Sequence, residues 1–234
     1  NRWWKKYMVN KYDGIHNCPK KYFYYPNTNK LDYIFCKNCG IFFTKYTYKN
    51  KLYKVKNLKK FHLDIEKKNK SKYFKNRIEN DLFLLEQFIK QTKSRPKNLL
   101  DFGCGYGSML YAAKKININA IGYDINLYLL IFLKKKFLII KKKYQLKKKN
   151  LFFDCIVVNK VFNLSPNLDE DFLLLNKVLK KKGYIILIDQ IKDFSRYKTF
   201  LTKKNNNTYL LTKNAIKFYA DKYGFKIISD QNSF

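Results

Sequence analysis

A glycine-rich turn lies in the middle of the chain, between a short apolar run and a segment with helical spacing. Residues 98–102 have the character of a strand, residues 103–107 read Gly-Cys-Gly-Tyr-Gly, and residues 108–115 have the character of a helix. Glycines at such a turn permit positive φ and let a ligand approach the main chain closely. This order predicts an α/β domain with a binding site at the carboxyl end of the strand.

The segments around this turn alternate between helical and extended patterns. Apolar residues recur at helical spacing or form short buried runs, and glycine or proline separates several of the segments. We predict helices over 71–91, 108–115, 126–137, 169–179 and 212–223, and strands over 98–102, 120–123, 152–158, 184–188 and 225–229. Strands that alternate with helices predict a doubly wound, mostly parallel sheet with right-handed crossovers.

The N-terminal part of the chain has a different character. It is rich in aromatic residues and lysine and lacks a helical period, and two short strands flank a Cys36-Lys-Asn-Cys39-Gly40 turn. We therefore predict a small β module over residues 1–53, a linker over 54–72 and the α/β domain over 73–234.

The net charge of +33 raises the question of a nucleic-acid partner, because lysine and arginine neutralise phosphates. Of the 50 basic residues only four are arginine, and the lysines occur in short blocks that are typical of solvated surfaces. We therefore favour a partner other than nucleic acid.

No apolar run approaches the roughly 18 residues of a membrane span. The five cysteines do not form a secreted disulfide pattern, which favours a cytoplasmic protein.

Two carboxylates flank the glycine-rich turn in the sequence. Asp101 ends the strand before the turn, and Asp124 follows the next strand, 23 positions after Asp101. A carboxylate at the position of Asp101 suits a ligand with amino and sulfonium groups better than a pyrophosphate. Asp124 stands at the distance expected of a carboxylate that accepts ribose hydroxyls.

These motifs, with the later segments Phe153–Val158, Lys177–Ile188 and Lys222–Ile228, resemble those of the class I S-adenosylmethionine-dependent methyltransferases in their order. The resemblance runs from about residue 97 to the end of the chain. It implies a Rossmann-like sheet of seven strands, S-adenosylmethionine as the cofactor, and methyl transfer to a small-molecule or carbohydrate acceptor.

The resemblance also implies roles for individual residues. Asp101 would face the amino-acid end of the cofactor, Asp124 would bind the ribose, Ile125 would pack against the adenine, and Asn159 would lie beside the sulfur. Gly103, Gly105 and Gly107 would form the floor of the site, and Cys104 and Tyr106 are further candidate cofactor-binding residues. Tyr106 and Asn159 are the candidate catalytic residues. The chain departs from the family in lacking an acid after the third strand and an acid–histidine pair after the fourth.

The N-terminal cysteines suggest a structural zinc site. Cys36 and Cys39 form one half of a zinc knuckle, and Cys18 and His16 are the candidates for the other two ligands. This segment resembles the zinc-ribbon-like segment that precedes the methyltransferase domain in some bacterial small-molecule and sugar methyltransferases. A ribbon that keeps its shape without metal is the alternative.

Two other functions remain open at this point. An RNA methyltransferase would use the lysines to bind phosphates, although the chain has no Asn-Pro-Pro-Tyr-type motif after the fourth predicted strand. A module that binds S-adenosylmethionine without catalysis would explain the missing third-strand acid. The glycine spacing and Asp101 argue against an NAD-dependent enzyme.

Overall fold

A computed structural model of the chain describes residues 4–8, 22–26, 33–44, 72–126, 133–148, 151–189, 191 and 209–228. The chain divides into two compact units. The parallel unit comprises Asn50–Val161 and Lys177–Ile188, and the antiparallel unit comprises Asn1–Lys49, Phe162–Asn176 and Asp189–Phe234. The linker predicted over residues 54–72 lies almost entirely outside the described residues, and the predicted domain boundaries stay predictions.

The parallel unit contains a sheet of five parallel strands. They are β5 (Asn98–Phe102), β6 (Asn119–Tyr123), β7 (Leu138–Ile140), β8 (Phe153–Asn159) and β9 (Leu179–Ile188), in the spatial order β7-β6-β5-β8-β9. β5 lies at the centre and pairs with β6 and β8. The order reverses at β5, and this is the position where doubly wound sheets bind their ligands.

Three helices of the parallel unit are described: α1 (Lys72–Thr92), α2 (Ser108–Lys115) and α3 (Lys143–Lys148). Leu85 of α1 and Met109 of α2 pack with Leu99, Cys155 and Val157 of the central strands in one buried cluster. Burial of these apolar side chains explains why β5 and β8 read as nearly continuous apolar runs.

The antiparallel unit contains a second sheet. Its strands are β1 (Trp4–Met8), β2 (Tyr22–Pro26), β3 (Tyr33–Cys36), β4 (Phe42–Thr44) and β10 (Tyr209–Leu210), in the order β1-β2-β3-β4-β10 with antiparallel pairing throughout. Two-residue β10 thus joins a sheet that otherwise comes from the first 44 residues.

A 3-10 turn (Phe162–Leu164), most of helix α4 (Leu168–Val178) and helix α5 (Lys213–Lys222) also belong to the antiparallel unit. The ring of Phe172 stacks on those of Tyr219, at a centroid distance of 5.0 Å, and Tyr223, at 5.6 Å. Tyr223 also donates a hydrogen bond to Asp169 at 2.6 Å. These contacts join α4 to α5.

The α/β class with a parallel sheet is confirmed, but two expectations about the strands need correction. The sequence predicts a strand over residues 225–229, whereas described residues 225–228 join no sheet and carry the exposed side chains of Ile227 and Ile228. Gly224 turns the chain with a φ of +73° just before them. Seven strands are expected in the parallel sheet, and five are present among the described residues.

Short elements and residues outside the described ranges account for the other differences. β7 and α3 have only three and six residues and are not predicted from the sequence. Most of the helix predicted over residues 126–137 lies outside the described residues. None of the described helices is both long enough and apolar enough to cross a membrane.

Candidate functional site

The glycine-rich turn after β5 is bonded to the end of β6. The N–H groups of Gly103 and Cys104 both donate to the carbonyl oxygen of Tyr123, at 2.7 and 2.9 Å, and the N–H of Gly107 donates to Cys104 O at 2.7 Å. The three glycines have φ values of +85°, +50° and +80°. The turn is therefore a fixed loop between the carboxyl ends of two neighbouring strands.

The space around the glycines differs from one to the next. A Cβ at Gly103 would lie 2.3 Å from Val161 Cγ2, and one at Gly107 would lie 2.7 Å from Leu133 Cδ2. A Cβ at Gly105 would meet nothing closer than the carbonyl oxygen of Gly103, at 4.0 Å. Protein atoms thus fill the space beside the first and third glycines, whereas the space beside Gly105 is open to a ligand.

Asp124 connects the end of β6 to this open position. Its Oδ2 accepts a hydrogen bond from the N–H of Gly105 at 2.8 Å, and its Oδ1 accepts one from the N–H of Asn126 at 2.7 Å. Burial raises the pKa of Asp124, although these hydrogen bonds oppose the shift. Each carboxylate oxygen has a second lone pair, so the group can still accept hydroxyl donors.

Asp101 is buried at the end of β5. Its exposed fraction is 3%, and none of the described residues donates a hydrogen bond to its carboxylate. Burial raises the pKa of Asp101 well above its ordinary value, the nearby charges of Asp81 and Asp124 raise it further, and Arg77 opposes them. A buried carboxylate is costly unless it has a partner, so this group favours a cationic ligand.

Helix α1 contributes two residues that the sequence analysis does not select. The Asp81 side chain is buried and hydrogen-bonded to that of Ser108, the first residue of α2. Arg77, one helical turn earlier, lies close enough to influence the carboxyls of Asp81 and Asp101. The sequence contains a signal for Asp81, because it lies seven residues after Phe74 and four before Leu85, on the buried face of the helix.

The other predicted cofactor residues have varied surroundings. The thiol of Cys104 is buried with Leu110 and Leu133, and burial raises its pKa well above the ordinary value, so the group stays protonated. This is the environment of a core residue rather than of a nucleophile. Ile125 is 45% exposed, and Tyr106 in the turn is half-buried. Asn159, also half-buried, is the last residue of β8 and pairs with Ile188.

The predicted zinc ligands are only partly described. Cys36 and Cys39 lie buried on one tight turn of the antiparallel unit, in which the N–H of Gly40 donates to Cys36 O at 2.8 Å. His16 and Cys18 lie outside the described residues. Within the described ranges, no group of three or more histidine, cysteine or acidic side chains is arranged to hold a metal.

Comparison with known proteins decides the family. A family profile described as a methyltransferase domain matches residues 74–230, which is more than half of the chain and includes β5, the glycine-rich turn and Asp124. The chain belongs to the methyltransferase-domain family. The prediction of a methyltransferase is thereby confirmed. No curated protein sequence matches the chain significantly.

Several solved structures resemble this methyltransferase. A SAM-dependent methyltransferase from Archaeoglobus fulgidus is 24% identical over 71% of this chain and 74% of its own, with a TM-score of 0.51. The PH0226 protein from Pyrococcus horikoshii OT3 is 17% identical over 66% of this chain and 84% of its own, with a TM-score of 0.50. The plantazolicin methyltransferase BpumL in complex with SAH is 19% identical over 75% of this chain and 66% of its own, with a TM-score of 0.48. The first two likenesses support the α/β fold.

Proposed function

We propose that this methyltransferase uses S-adenosylmethionine as its methyl donor and a small molecule or carbohydrate as its acceptor. The observation that carries the donor assignment is the buried Asp101 carboxylate, which has no hydrogen-bond donor among the described residues. S-adenosylmethionine brings an ammonium and a sulfonium, and either charge would relieve the cost of burying this group.

The surroundings of Asp101 fit the rest of the cofactor. The open space beside Gly105 leaves room for a ligand against the main chain, and Asp124 has lone pairs for the ribose hydroxyls. The exposed side chain of Ile125 offers an apolar surface for the adenine. We therefore assign the cofactor to this end of the sheet, with the main chain of residues 103–107 as the floor.

The reaction places few demands on the side chains. When bound, S-adenosylmethionine supplies a methyl group already activated by its sulfonium. The protein has to align an acceptor atom with that carbon and exclude water, and a strong base is not required. Tyr106 and Asn159, both half-buried, are our candidates for orienting the acceptor.

Calorimetric titration with S-adenosylhomocysteine tests the donor assignment. We expect micromolar binding by the wild type, loss of binding in Asp101→Ala, and strong weakening in Asp124→Ala. Asp154→Asn is a matched control, because Asp154 lies on β8 of the same sheet but bonds to the N–H groups of Lys97 and Asn98 at the start of β5. A well-folded wild type that does not bind would refute the donor assignment.

Transfer of radiolabelled methyl groups to fractionated cell extracts tests the acceptor class. Label in a small-molecule or carbohydrate fraction, lost in Asp101→Ala, would support the proposal. Label only in RNA would favour an RNA methyltransferase. Cofactor binding without label in any fraction would favour a module that has lost catalysis.

Zinc binding remains a proposal. Cys36 and Cys39 supply two of the four ligands that a closed zinc site needs, and His16 and Cys18 are proposed to supply the others. Elemental analysis of the purified protein should find one equivalent of zinc that Cys36→Ser removes, and an absence of zinc would favour the metal-free ribbon. The cytoplasmic location also stays a prediction, which rests on the cysteine pattern of the sequence.

A further inference from the structure

Two runs of lysine flank strand β7 at the edge of the parallel sheet. Between Asp124 and Asp154 the chain contains nine lysines and no acidic residue. The structure describes the side chains of six of these lysines, at positions 134–136 before β7 and 141–143 after it, and five of the six are exposed. We call the surface formed by residues 134–144 the β7 surface. It carries a dense positive charge.

Acidic side chains do not neutralise this charge by direct contact. Among the described residues, none of the ion pairs involves the lysines at positions 134–136, 141 and 142. Instead, the side chain of Lys134 contacts that of Lys141, and this contact lowers the pKa of Lys134. Two like charges in contact are unfavourable, and an anionic group between them would relieve the repulsion. The β7 surface can therefore accept an anionic partner.

Local contacts attach both lysine runs to the fold. The side-chain oxygen of Gln145 accepts the N–H groups of Lys141 at 3.2 Å and Lys142 at 3.1 Å, which fixes the turn between β7 and α3. Before β7, the ammonium of Lys136 lies 5.5 Å from the centroid of the Tyr111 ring on α2. The positive charges are thus presented by regular elements of the parallel unit.

Exposed apolar side chains lie among the lysines. Leu138, the first residue of β7, is 53% exposed, and Tyr144 of α3 is 50% exposed. Helix α3 packs against β7, so both side chains belong to the same edge of the unit. Proteins that bind anionic membranes at their surface combine lysines, which contact the headgroups, with apolar side chains that enter the boundary between headgroups and acyl chains.

We propose that the β7 surface binds a membrane surface that contains anionic phospholipids. Its lysines contact the headgroup phosphates, Leu138 enters the acyl boundary, and the ring of Tyr144 lies at the level of the headgroups. This inference depends on neither the methyl donor nor the acceptor. It adds to the protein a surface that holds it against a lipid layer.

The aromatic rings of this edge favour lipid over nucleic acid. Lys142 lies 5.8 Å from the ring centroid of Tyr144, and Lys114 lies 5.9 Å from that of Phe137. Bases stack on open aromatic faces, so rings that lysines already cover are poor platforms for a single strand. An exposed leucine such as Leu138 gains from an apolar boundary and gains nothing from a phosphate backbone.

Co-sedimentation of the full chain with lipid vesicles tests this proposal. The wild type should bind vesicles of equimolar phosphatidylcholine and phosphatidylglycerol, should not bind vesicles of phosphatidylcholine alone, and should be released as the salt concentration rises. A triple variant, Lys134→Gln with Lys135→Gln and Lys141→Gln, should bind the anionic vesicles about a hundredfold more weakly, because each lysine near the surface adds to the attraction.

The matched control removes the same charge at the other edge of the sheet. Lys177, Lys181 and Lys182 are exposed on β9 or just before it, and the triple glutamine variant at these positions should bind anionic vesicles about as tightly as the wild type does. Leu138→Gln keeps every charge and should weaken vesicle binding about three- to tenfold. Because all these side chains are exposed, the melting temperatures should stay close to that of the wild type.

Equal losses of vesicle binding in the two triple variants would overturn the proposal, since net charge alone would then explain the binding. Wild-type binding by the variant at positions 134, 135 and 141 would also overturn it, and would leave these lysines as charges that keep the edge of β7 from pairing with another strand. Binding of a single-stranded RNA oligonucleotide that this variant loses, without any binding of anionic vesicles, would replace lipid by nucleic acid as the partner.

Discussion

The N–H of Gly105 donates a hydrogen bond to Asp124 Oδ2 at 2.8 Å, which joins the middle of the glycine-rich turn to the end of the neighbouring strand. The carboxylate proposed to bind the ribose therefore also holds the main chain proposed to carry the cofactor. Asp124→Ala removes both functions together. Asp124→Asn keeps one oxygen that can accept from Gly105, and its effect on binding is the cleaner measure of the ribose contact.

Alanine substitutions at two positions of the glycine-rich turn should distinguish a glycine required for packing from one required for ligand binding. Gly103→Ala forces a Cβ to within 2.3 Å of Val161 Cγ2 and should destabilise the protein by about 2–5 kcal/mol. Gly105→Ala meets no protein atom and should cost only about 1–2 kcal/mol for its positive φ. Urea unfolding monitored by circular dichroism measures both values.

The variant that loses less stability, Gly105→Ala, should lose more affinity for the cofactor than Gly103→Ala does. Because the Cβ at position 105 enters the space assigned to the cofactor, Gly105→Ala should lose most of its affinity for S-adenosylhomocysteine while staying folded. Gly105→Ala with wild-type affinity would contradict the assignment of that space to the cofactor.

Removal of the Asp101 charge should stabilise the ligand-free protein. The folded state raises the pKa of this carboxyl, mainly by burial, so the ionised group opposes folding at neutral pH. Asp101→Asn should therefore raise the melting temperature, by about 2–4 °C for each kcal/mol gained in a protein of this size. The same variant should no longer bind S-adenosylhomocysteine.

The stabilisation by Asp101→Asn should depend on pH. With a folded-state pKa above the unfolded value, the cost of the charge is absent below the unfolded value near 3.8 and is complete above the raised pKa. The difference in melting temperature between variant and wild type should thus increase with pH. A difference that stays constant across pH would show that packing rather than charge is responsible.

Asp154 should show the reverse pH dependence. Burial alone would raise its pKa, but the hydrogen bonds from Lys180 at 2.8 Å and from the N–H groups of Asn98 and Lys97 lower it overall. Asp154→Asn should destabilise the protein by about 1–3 kcal/mol at neutral pH, because two N–H groups at the start of β5 lose a charged acceptor. Since the stabilisation is present above the unfolded pKa and lost as pH falls through the lower folded value, unfolding curves of variant and wild type should converge in acid.

Thr212 should stabilise the antiparallel unit without any metal. Its hydroxyl donates to Gly40 O at 2.7 Å and accepts from the N–H of Ala215 at 3.1 Å, and the side chain is buried. Thr212→Val leaves both main-chain groups without this partner and should cost about 1–3 kcal/mol. The loss should be the same in protein treated with a chelator, and Thr212→Ser should recover most of it.

Local patterns explain what the sequence could predict. β5, the glycine-rich turn and α2 begin and end at residues 98, 102, 108 and 115 as predicted, because apolar spacing and glycine act over a few positions. The positions of Asp101 and Asp124 can be predicted for the same reason, since each carboxylate stands at the end of a strand that can be recognised locally, and their roles toward a cofactor stay predictions.

Distant contacts explain what the sequence missed. Asp81 and Arg77 lie within a regular helix, and their importance comes from their influence on Asp101, which is 20 and 24 positions away. β10 has only two residues, and its assignment depends on pairing with Phe42 and Phe43 of β4. A single sequence can place Asp81 on the buried face of its helix, but it contains no local signal for the residue or strand that each of these elements meets.

The sheet that contains β4 and β10 has a consequence for how the protein can be made. The hydrogen bond between Gly40 and Thr212 spans 172 positions, so a nascent chain must extend past residue 212 before this edge of the sheet can close. Until then β4 exposes an unpaired edge, and exposed edges promote aggregation. Synthesis of the N-terminal segment alone should therefore yield an aggregation-prone fragment, and supplying residues 209–228 in trans should improve its solubility.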